Sequence, residues 1–281
     1  RKSSLSQPTV TRALSDIEEI FMTPLFVRSR RGLEPTAAGE VVLARARFAL
    51  ADIKVLQDEL RAVNQGRQGT LRIGLIPYVS GQALDAVWRH LLSLQPRLAL
   101  SASEDTSLNL IQRVRDRELD CAVCRFSHDS IEDDLVQVPL YHQQAFLVAA
   151  KPSASLLSRQ PVLDIAQLAE MEWVFPPSNT PIRKVIDAIF AAAGRQVPVP
   201  LMEAYSIRAI STALHQLPRG VTVLPGDIGN IVAPAGGAEI LERPLPWSLP
   251  PVGLAWLRDS PKAGIAVALA AAVRAKTLAL K

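Results

Sequence analysis

At 281 residues, with 48% hydrophobic residues and a formal net charge of +4, the chain is long enough for two or three compact units and too apolar for general disorder. The positive surplus is spread along the chain, so overall charge says little about a nucleic-acid partner. No uninterrupted apolar run reaches membrane-spanning length and no secretion signal is found, so a cytoplasmic protein without a membrane partner is expected.

The first predicted element is a helix opening at Ser6-Gln7-Pro8-Thr9-Val10-Thr11-Arg12. Ser6 is placed to cap it, and Pro8 is tolerated because the first turn has no N–H bonds to lose. Val10, Leu14, Ile17 and Phe21 recur at helical spacing and are expected to form one buried stripe. Pro8, Thr11, Arg12 and Ser15 fall on the opposite face, flanked by Gln7 and Thr9. Short polar side chains and one guanidinium suit close approach to base edges and phosphates. Taken alone, the segment reads more simply as an amphipathic surface helix. The next segment brings Arg28, Arg30 and Arg31 together with no acid between them, and Gly32 permits a tight turn there. Such a loop can lie along phosphates, although a charge cluster is more often a solvated turn.

The order and spacing of Ser6-Gln7-Pro8-Thr9-Val10-Thr11-Arg12, Leu25-Phe26-Val27-Arg28 and Pro35-Thr36-Ala37-Ala38-Gly39 resemble the LysR-type transcriptional regulators, and the later layout fits over essentially the whole chain. The resemblance implies a winged helix-turn-helix whose recognition helix enters the major groove. Base-proximal roles then fall to Gln7, Pro8, Thr9, Thr11 and Arg12, and phosphate contacts to Arg28, Arg30, Arg31 and Thr36, with Ser6 counted among the DNA-binding residues. Family members carry further helices before this run, whereas this chain begins at Arg1, so it is read as N-terminally truncated, with part of the recognition helix's supporting core missing.

From about Thr36 to Asn64 the pattern is one long helix. Val42, Ala46, Ala49, Ile53, Leu56, Leu60 and Val63 alternate gaps of four and three, an a/d seam over roughly three heptads. A lone helix of ~45 Å would expose this seam to water, so a partner or the body of the chain is expected to cover it. The resemblance implies a dimer through Ala46, Ala49, Ile53, Leu56, Leu60 and Val63. Gln65-Gly66-Arg67-Gln68-Gly69 ends the helix and begins a linker.

Strand–helix alternation follows. Strands are expected at 71–76, 98–103 and 119–124, with helices at 82–94 and 108–117 between them. Two further strands, 136–140 and 145–150, end in a crossing to a second unit with strand 173–175, helix 182–193, strand 199–202, helix 207–215 and strand 221–224. Strand 252–256 and helix 262–276 return to the first unit. The expected fold class is α/β. A partial winged helix-turn-helix (1–36) is followed by a linker helix (37–68) and a two-lobed body (69–281) of the periplasmic-binding-protein kind. Its first lobe takes 69–145 and 249–281, and its second takes 146–248.

In such sheets ligands lie beyond the carboxyl ends of strands, near helix N-termini. Three loops qualify: Pro77-Tyr78-Val79-Ser80-Gly81, Asp105-Thr106-Ser107 and Pro176-Pro177-Ser178-Asn179-Thr180. Each hydroxyl could merely cap its helix. Three loops converging on one cleft favour a binding site, and an anionic small molecule suits free N–H groups and helix dipoles. The candidate effector residues are Tyr78, Ser80, Thr106, Ser107, Ser178, Asn179 and Thr180. Arg125, Arg183 or Arg208 could supply charge, and Tyr205-Ser206 is a fourth candidate edge.

Cys121 and Cys124 form a C-x-x-C within Leu119-Asp120-Cys121-Ala122-Val123-Cys124, which looks like a buried strand. Residues three apart on a strand point to opposite faces with Cα atoms about 10 Å apart, beyond the ~7 Å reach of a disulfide. Core packing is therefore favoured over a redox or zinc role. No catalytic residues, metal or cofactor are expected. An enzyme is disfavoured because no nucleophile–base pair, metal set or phosphate-loop glycine pattern is seen. A solute-binding protein that binds no DNA is the alternative. The expected function is a DNA-binding regulator that senses a small-molecule effector between two lobes. Its expected partners are a double-stranded operator, a second copy of the chain, further dimers forming a tetramer, and the transcription machinery.

Overall fold

In the computed structural model, which describes residues 7–29, 32–64, 69–94, 98–126, 133–159, 163–235 and 237–277, the chain divides into two compact units, Arg1–Asp58 and Glu59–Lys281. Helix α1 (Gln7–Phe21) carries Pro8 in its first turn, where no internal bond is lost. It closes with Met22 in the left-handed region (φ 48°) and the Thr23 N–H donating to the Glu18 carbonyl at 3.2 Å. The Glu18 carboxylate accepts from the N–H groups of Leu25 (2.7 Å) and Phe26 (3.0 Å). That clamp sets the entry to a hairpin of β1 (Phe26–Ser29) and β2 (Gly32–Pro35), with Phe26 opposite Pro35 and Ser29 opposite Gly32. Gly32 takes φ 121°, which a side chain would resist.

Helix α2 (Ala37–Asn64) starts on Thr36. The Thr36 hydroxyl accepts from the Gly39 N–H (3.0 Å) and donates to the Pro24 carbonyl (2.9 Å), while its own N–H donates to the Leu25 carbonyl (2.9 Å). The first turn of α2 therefore presses on Leu25. A Cβ at Gly39 would lie 2.0 Å from the Leu25 carbonyl oxygen.

One expectation fails in this unit. The stripe Val10, Leu14, Ile17, Phe21 is not buried: Val10, Ile17 and Phe21 are 36%, 38% and 52% exposed, and Leu14 is half-buried. An apolar stripe needs an opposing apolar surface, and the described hairpin and second helix of this unit offer it none. Leu25 is the one fully buried hydrophobic side chain among the described residues here.

The second unit holds two five-stranded sheets. The first runs through β3 (Thr70–Leu75), α3 (Gly81–Ser93), β4 (Ala99–Glu104), α4 (Ser107–Arg115), β5 (Cys121–Arg125) and β6 (Leu135–Tyr141). The second holds β7 (Gln144–Ala150), α5 (Lys151–Leu157), α6 (Ile165–Ala169), β8 (Glu172–Phe175), α7 (Pro181–Ala192), β9 (Met202–Glu203), α8 (Ile207–Gln216), β10 (Gly220–Pro225), α9 (Gly226–Ala235) and β11 (Ala238–Ser248). The chain then returns with β12 (Val252–Leu257) and α10 (Ala263–Thr277). Strand order is β4-β3-β5-β12-β6 in the first sheet and β11-β7-β10-β8-β9 in the second. β3 is parallel to β4 and β5, and β12 runs antiparallel between β5 and β6. Each sheet has its own core, and the chain crosses between them at 142–143 and 249–251.

The expected strand 199–202 shrinks to Met202–Glu203, and Val199 is 91% exposed. Pro198 and Pro200 have no N–H to give to a ladder, so the alternation around them cannot pair. Prolines also hid two elements that do form. β11 contains Pro244 and Pro246 but lies at the sheet edge with two register shifts, and α9 tolerates Pro234 near its end.

Gly39→Ala is expected to cost about 1–3 kcal/mol, because backbone must move to admit the methyl group. Gly264→Ala, in the first turn of α10 with open space around it, is expected to be neutral or to gain up to ~1 kcal/mol. Chemical denaturation of the two variants beside the parent chain checks both.

Candidate DNA-facing helix and ligand cleft

Within the first unit, Pro8, Thr9, Thr11 and Arg12 are all exposed on α1, and Gln7 is its first residue. Arg28 is exposed on β1. Thr36, assigned by resemblance to phosphate, has its hydroxyl engaged as the α2 cap described above. Ser6, Arg30 and Arg31 lie outside the described residues. Along α2, Ala46, Ala49, Ile53, Leu56 and Leu60 are exposed, the last three by 52–57%, so these described seam positions are uncovered, while Val42 is half-buried. The side chain of Val63 lies outside the described set.

In the second unit, the hydroxyls singled out from sequence do cap helices. Ser80 accepts from Ala83 N–H (3.2 Å) at α3, Thr106 from Asn109 N–H (3.4 Å) at α4, and Thr180 from Arg183 N–H (3.3 Å) at α7. Ser206 does the same for α8. Ser107 instead ties a helix to a strand, its hydroxyl accepting from the Arg125 backbone N–H at 3.1 Å. Ser178 and Asn179 are exposed in the turn before α7. Tyr78 leaves the loop after β3 and is buried in the core of the second sheet, edge-on to Tyr205 with ring centroids 4.9 Å apart.

The polar centre of this unit is Arg125, at the end of β5 and only 4% exposed. Its guanidinium donates to the Pro250 carbonyl (2.6 Å) on one crossing segment and to the Gln143 side-chain oxygen on the other. The Gln143 amide in turn donates to Asp227 Oδ1 (2.9 Å) and to the Tyr78 carbonyl (3.3 Å). The Ser80 N–H donates to the Tyr141 hydroxyl (2.9 Å). Arg125 Nε, Asp227 Oδ2 and the Tyr78 hydroxyl are buried with no protein partner. Such atoms are expensive unless a ligand or water meets them. Burial pushes the Tyr78, Tyr205 and Tyr141 phenols up, so all three stay neutral hydrogen-bonding groups. Burial pulls Arg125 down, and the Tyr141, Tyr205, Asp227 and Tyr78 side chains pull it back up. An arginine stays charged under these conditions.

Beside this network lies a cavity of about 370 Å³. It is bounded by the first turns of α3 (Ser80–Gln82) and α9 (Gly226, Asp227), by the crossing 142–144, and by Phe146 and Ile231. Of the sequence-predicted effector residues, Ser80 lines it. Gln143 and Asp227 escaped sequence reading, yet signals existed. His142-Gln143-Gln144 is a polar triplet between two apolar strands, and Pro225-Gly226-Asp227 follows a strand and opens a helix as the three chosen loops do. Arg183 is held by Asp187 (2.7 Å) and Glu203 (3.2 Å) over the Phe175 ring, and Arg208 lines a separate, mainly apolar hollow of about 680 Å³.

Cys121 and Cys124 are both free and buried. Burial, with Asp120 adding to it, pushes the Cys121 thiol up to about 12, and burial also raises Cys124. A thiol raised on folding stabilises the fold at low pH and loses that contribution as pH climbs from the ordinary thiol range toward its folded value. The native chain is therefore expected to react with a thiol reagent at pH 8 at least tenfold slower than the denatured chain at both cysteines. Its stability is expected to fall above about pH 9. Thiol titration and pH-dependent melting check the two outcomes.

Comparison with known proteins follows the same division. The sequence profile described as LysR substrate binding domain matches residues 64–277, and that described as bacterial regulatory helix-turn-helix protein, lysR family, matches residues 1–40. The chain is 27% identical over 272 residues to the HTH-type transcriptional regulator GbpR of Azospirillum brasilense, covering 97% of this chain and 79% of that one. It is 28% identical over 275 residues to the HTH-type transcriptional regulator GalR of Pseudomonas putida, covering 98% and 68%. Among solved structures, CbnR, a LysR family transcriptional regulator, superposes with a TM-score of 0.63 at 18% identity over 97% of this chain and 90% of its own. Full-length CbnR with its target DNA gives 0.62 at 17%, over 96% and 90%. At that identity the structural likeness speaks for the fold alone.

Proposed function

The chain belongs to the LysR family of transcriptional regulators, which join a DNA-binding helix-turn-helix to an effector-binding domain, and on that premise we propose how its own residues divide the work. Residues 1–36 serve as the DNA-binding part, 37–68 as the dimerisation helix and 69–281 as the effector domain. Ser6, Gln7, Pro8, Thr9, Thr11 and Arg12 face bases and nearby phosphates of a double-stranded operator, while Arg28, Arg30 and Arg31 follow the phosphate backbone. Thr36 acts by holding the hairpin against α2. The observation that carries this reading is the exposed polar face of α1 beside the β1–β2 hairpin.

A second copy of the chain covers the seam Ala46, Ala49, Ile53, Leu56, Leu60 and Val63, and dimers associate further through the effector lobes. A small molecule held between the lobes favours one lobe arrangement, and unequal affinity for the two arrangements is what couples it to DNA spacing. Its candidate contacts are those at the helix starts, Tyr78, Ser80, Thr106, Ser107, Ser178, Asn179 and Thr180, joined by Asp227 in the first turn of α9. The protein acts by binding rather than catalysis, in the cytoplasm, on the transcription machinery. No described helix is long and apolar enough to cross a membrane.

Arg12→Ala is expected to weaken binding to a selected operator by tenfold or more, about 1–3 kcal/mol, with an unchanged melting temperature. Arg28→Ala should weaken binding to all sequences alike and lower the salt slope by about 1. Fluorescence anisotropy against a site obtained by in vitro selection, at several salt concentrations, measures both. Equal binding by Arg12→Ala and the parent chain would remove α1 as the reading helix. For the seam, Leu56→Asp is expected to shift the chain from dimer to monomer in sedimentation velocity at micromolar concentration, while the exposed Leu92→Asp on α3 leaves it unchanged.

A further inference from the structure

The cavity at the crossing has a chemistry that narrows its ligand. Asp227 Oδ1 already accepts from Gln143, and Oδ2 is buried with no donor from the protein. Asp227 lines the cavity, so a ligand beside it meets a carboxylate, which takes a donor. The N–H groups of Gly81 and Gln82 lie in the first turn of α3, where a helix has no internal acceptors, so the ligand must also accept. Carboxylates only accept and ammonium groups only donate, whereas a hydroxyl does both. Among the described residues that line the cavity there is no lysine or arginine; His142 is the one basic side chain, set against the Asp227 carboxylate. Asp227 also stands in the first turn of α9 and offsets the positive end of that helix. Phe146 and Ile231 add an apolar wall.

We propose that this cavity takes an uncharged polyhydroxylated molecule, of the sugar or polyol class, as the effector of the regulator; the inference rests on reading residues 69–281 as an effector domain. Ligand hydroxyls donate to the Asp227 carboxylate and accept from Gly81 and Gln82, and the C–H face of the ligand lies against Phe146. Gln143 is saturated by Arg125, Asp227 and the Tyr78 carbonyl, so it orients Asp227 rather than binding the ligand itself. This replaces the anion expected from the helix N-termini alone.

The test is a thermal-shift and calorimetric titration of the whole chain with glucose, xylose, ribitol and myo-inositol, set against benzoate, succinate and ethanolammonium. At least one hydroxylated probe is expected to bind, with affinity falling tenfold or more in Asp227→Asn and further in Gly81→Leu. Gly81 lines the cavity and has open space at its Cβ position, so the leucine adds bulk at its edge without a clash, and unchanged melting of the unliganded variants checks this. Silence from every hydroxylated probe overturns the inference; a carboxylate or ethanolammonium binding in their place shows the effector reading surviving it. A hydroxylated probe that binds both variants as tightly as the parent chain overturns the site.

Discussion

The effector half is organised around one buried cation. Arg125 ends the strand that the returning β12 pairs with, and its guanidinium bonds to both crossing segments, through Pro250 on one and Gln143 on the other. A charge taken out of water is costly unless its donors are met; here a backbone carbonyl and an amide that reaches on to Asp227 take the two terminal nitrogens, while Nε has no protein partner. The two sheets are thus tied at the point where the chain passes between them. Any shift of one lobe against the other must stretch or exchange these bonds. Tyr78 adds an apolar tie, since it departs from the first sheet and is buried in the core of the second.

The first unit is held by quite different means. Its centre is the segment Pro24–Phe26, where Glu18, Thr36 and the backbone of Gly39 meet. These are local bonds over short loops, and they explain why the Thr36-Ala37-Ala38-Gly39 run has the residues it does: a capping hydroxyl, two small helix formers, and a glycine where the helix meets a carbonyl. What the bonds do not supply is area. The apolar stripe of α1 remains uncovered among the described residues, so this unit is fixed in geometry more than in free energy.

Much of the fold was readable because strands and helices of the body announce themselves by period. Val221–Leu224 and Val252–Trp256 are short apolar runs bounded by turn residues, and both are central strands. Where prolines intervened, local chemistry and tertiary context pulled apart. Pro198 and Pro200 did abolish a strand, yet Pro244 and Pro246 were accommodated by an edge that asks for fewer donors. The site was half legible. Caps could be found because Ser, Thr and Asp before a helix meet its free N–H groups, so Ser80, Thr106 and Thr180 stood out. Gln143 and Asp227 could not be ranked from sequence, because their value comes from bonds that only the folded chain makes, Gln143 to Arg125 and Tyr78 and Asp227 to Gln143. Tyr78 was found as a candidate contact, but its burial depended on a lobe the loop itself does not belong to.

The route of the chain through the two sheets also orders its assembly. The second sheet is made from one uninterrupted stretch, β7 to β11, while the first waits for β12, which runs between β5 and β6, and for α10 behind it. During synthesis from the N-terminus, the later-encoded lobe can close before the earlier one is complete. Until the last strand emerges, β5 and β6 present unpaired edges, and the long sequence separation between those partners makes the final pairing slow. The first-made sheet is therefore the last to be sealed, and β12 decides whether it is sealed at all.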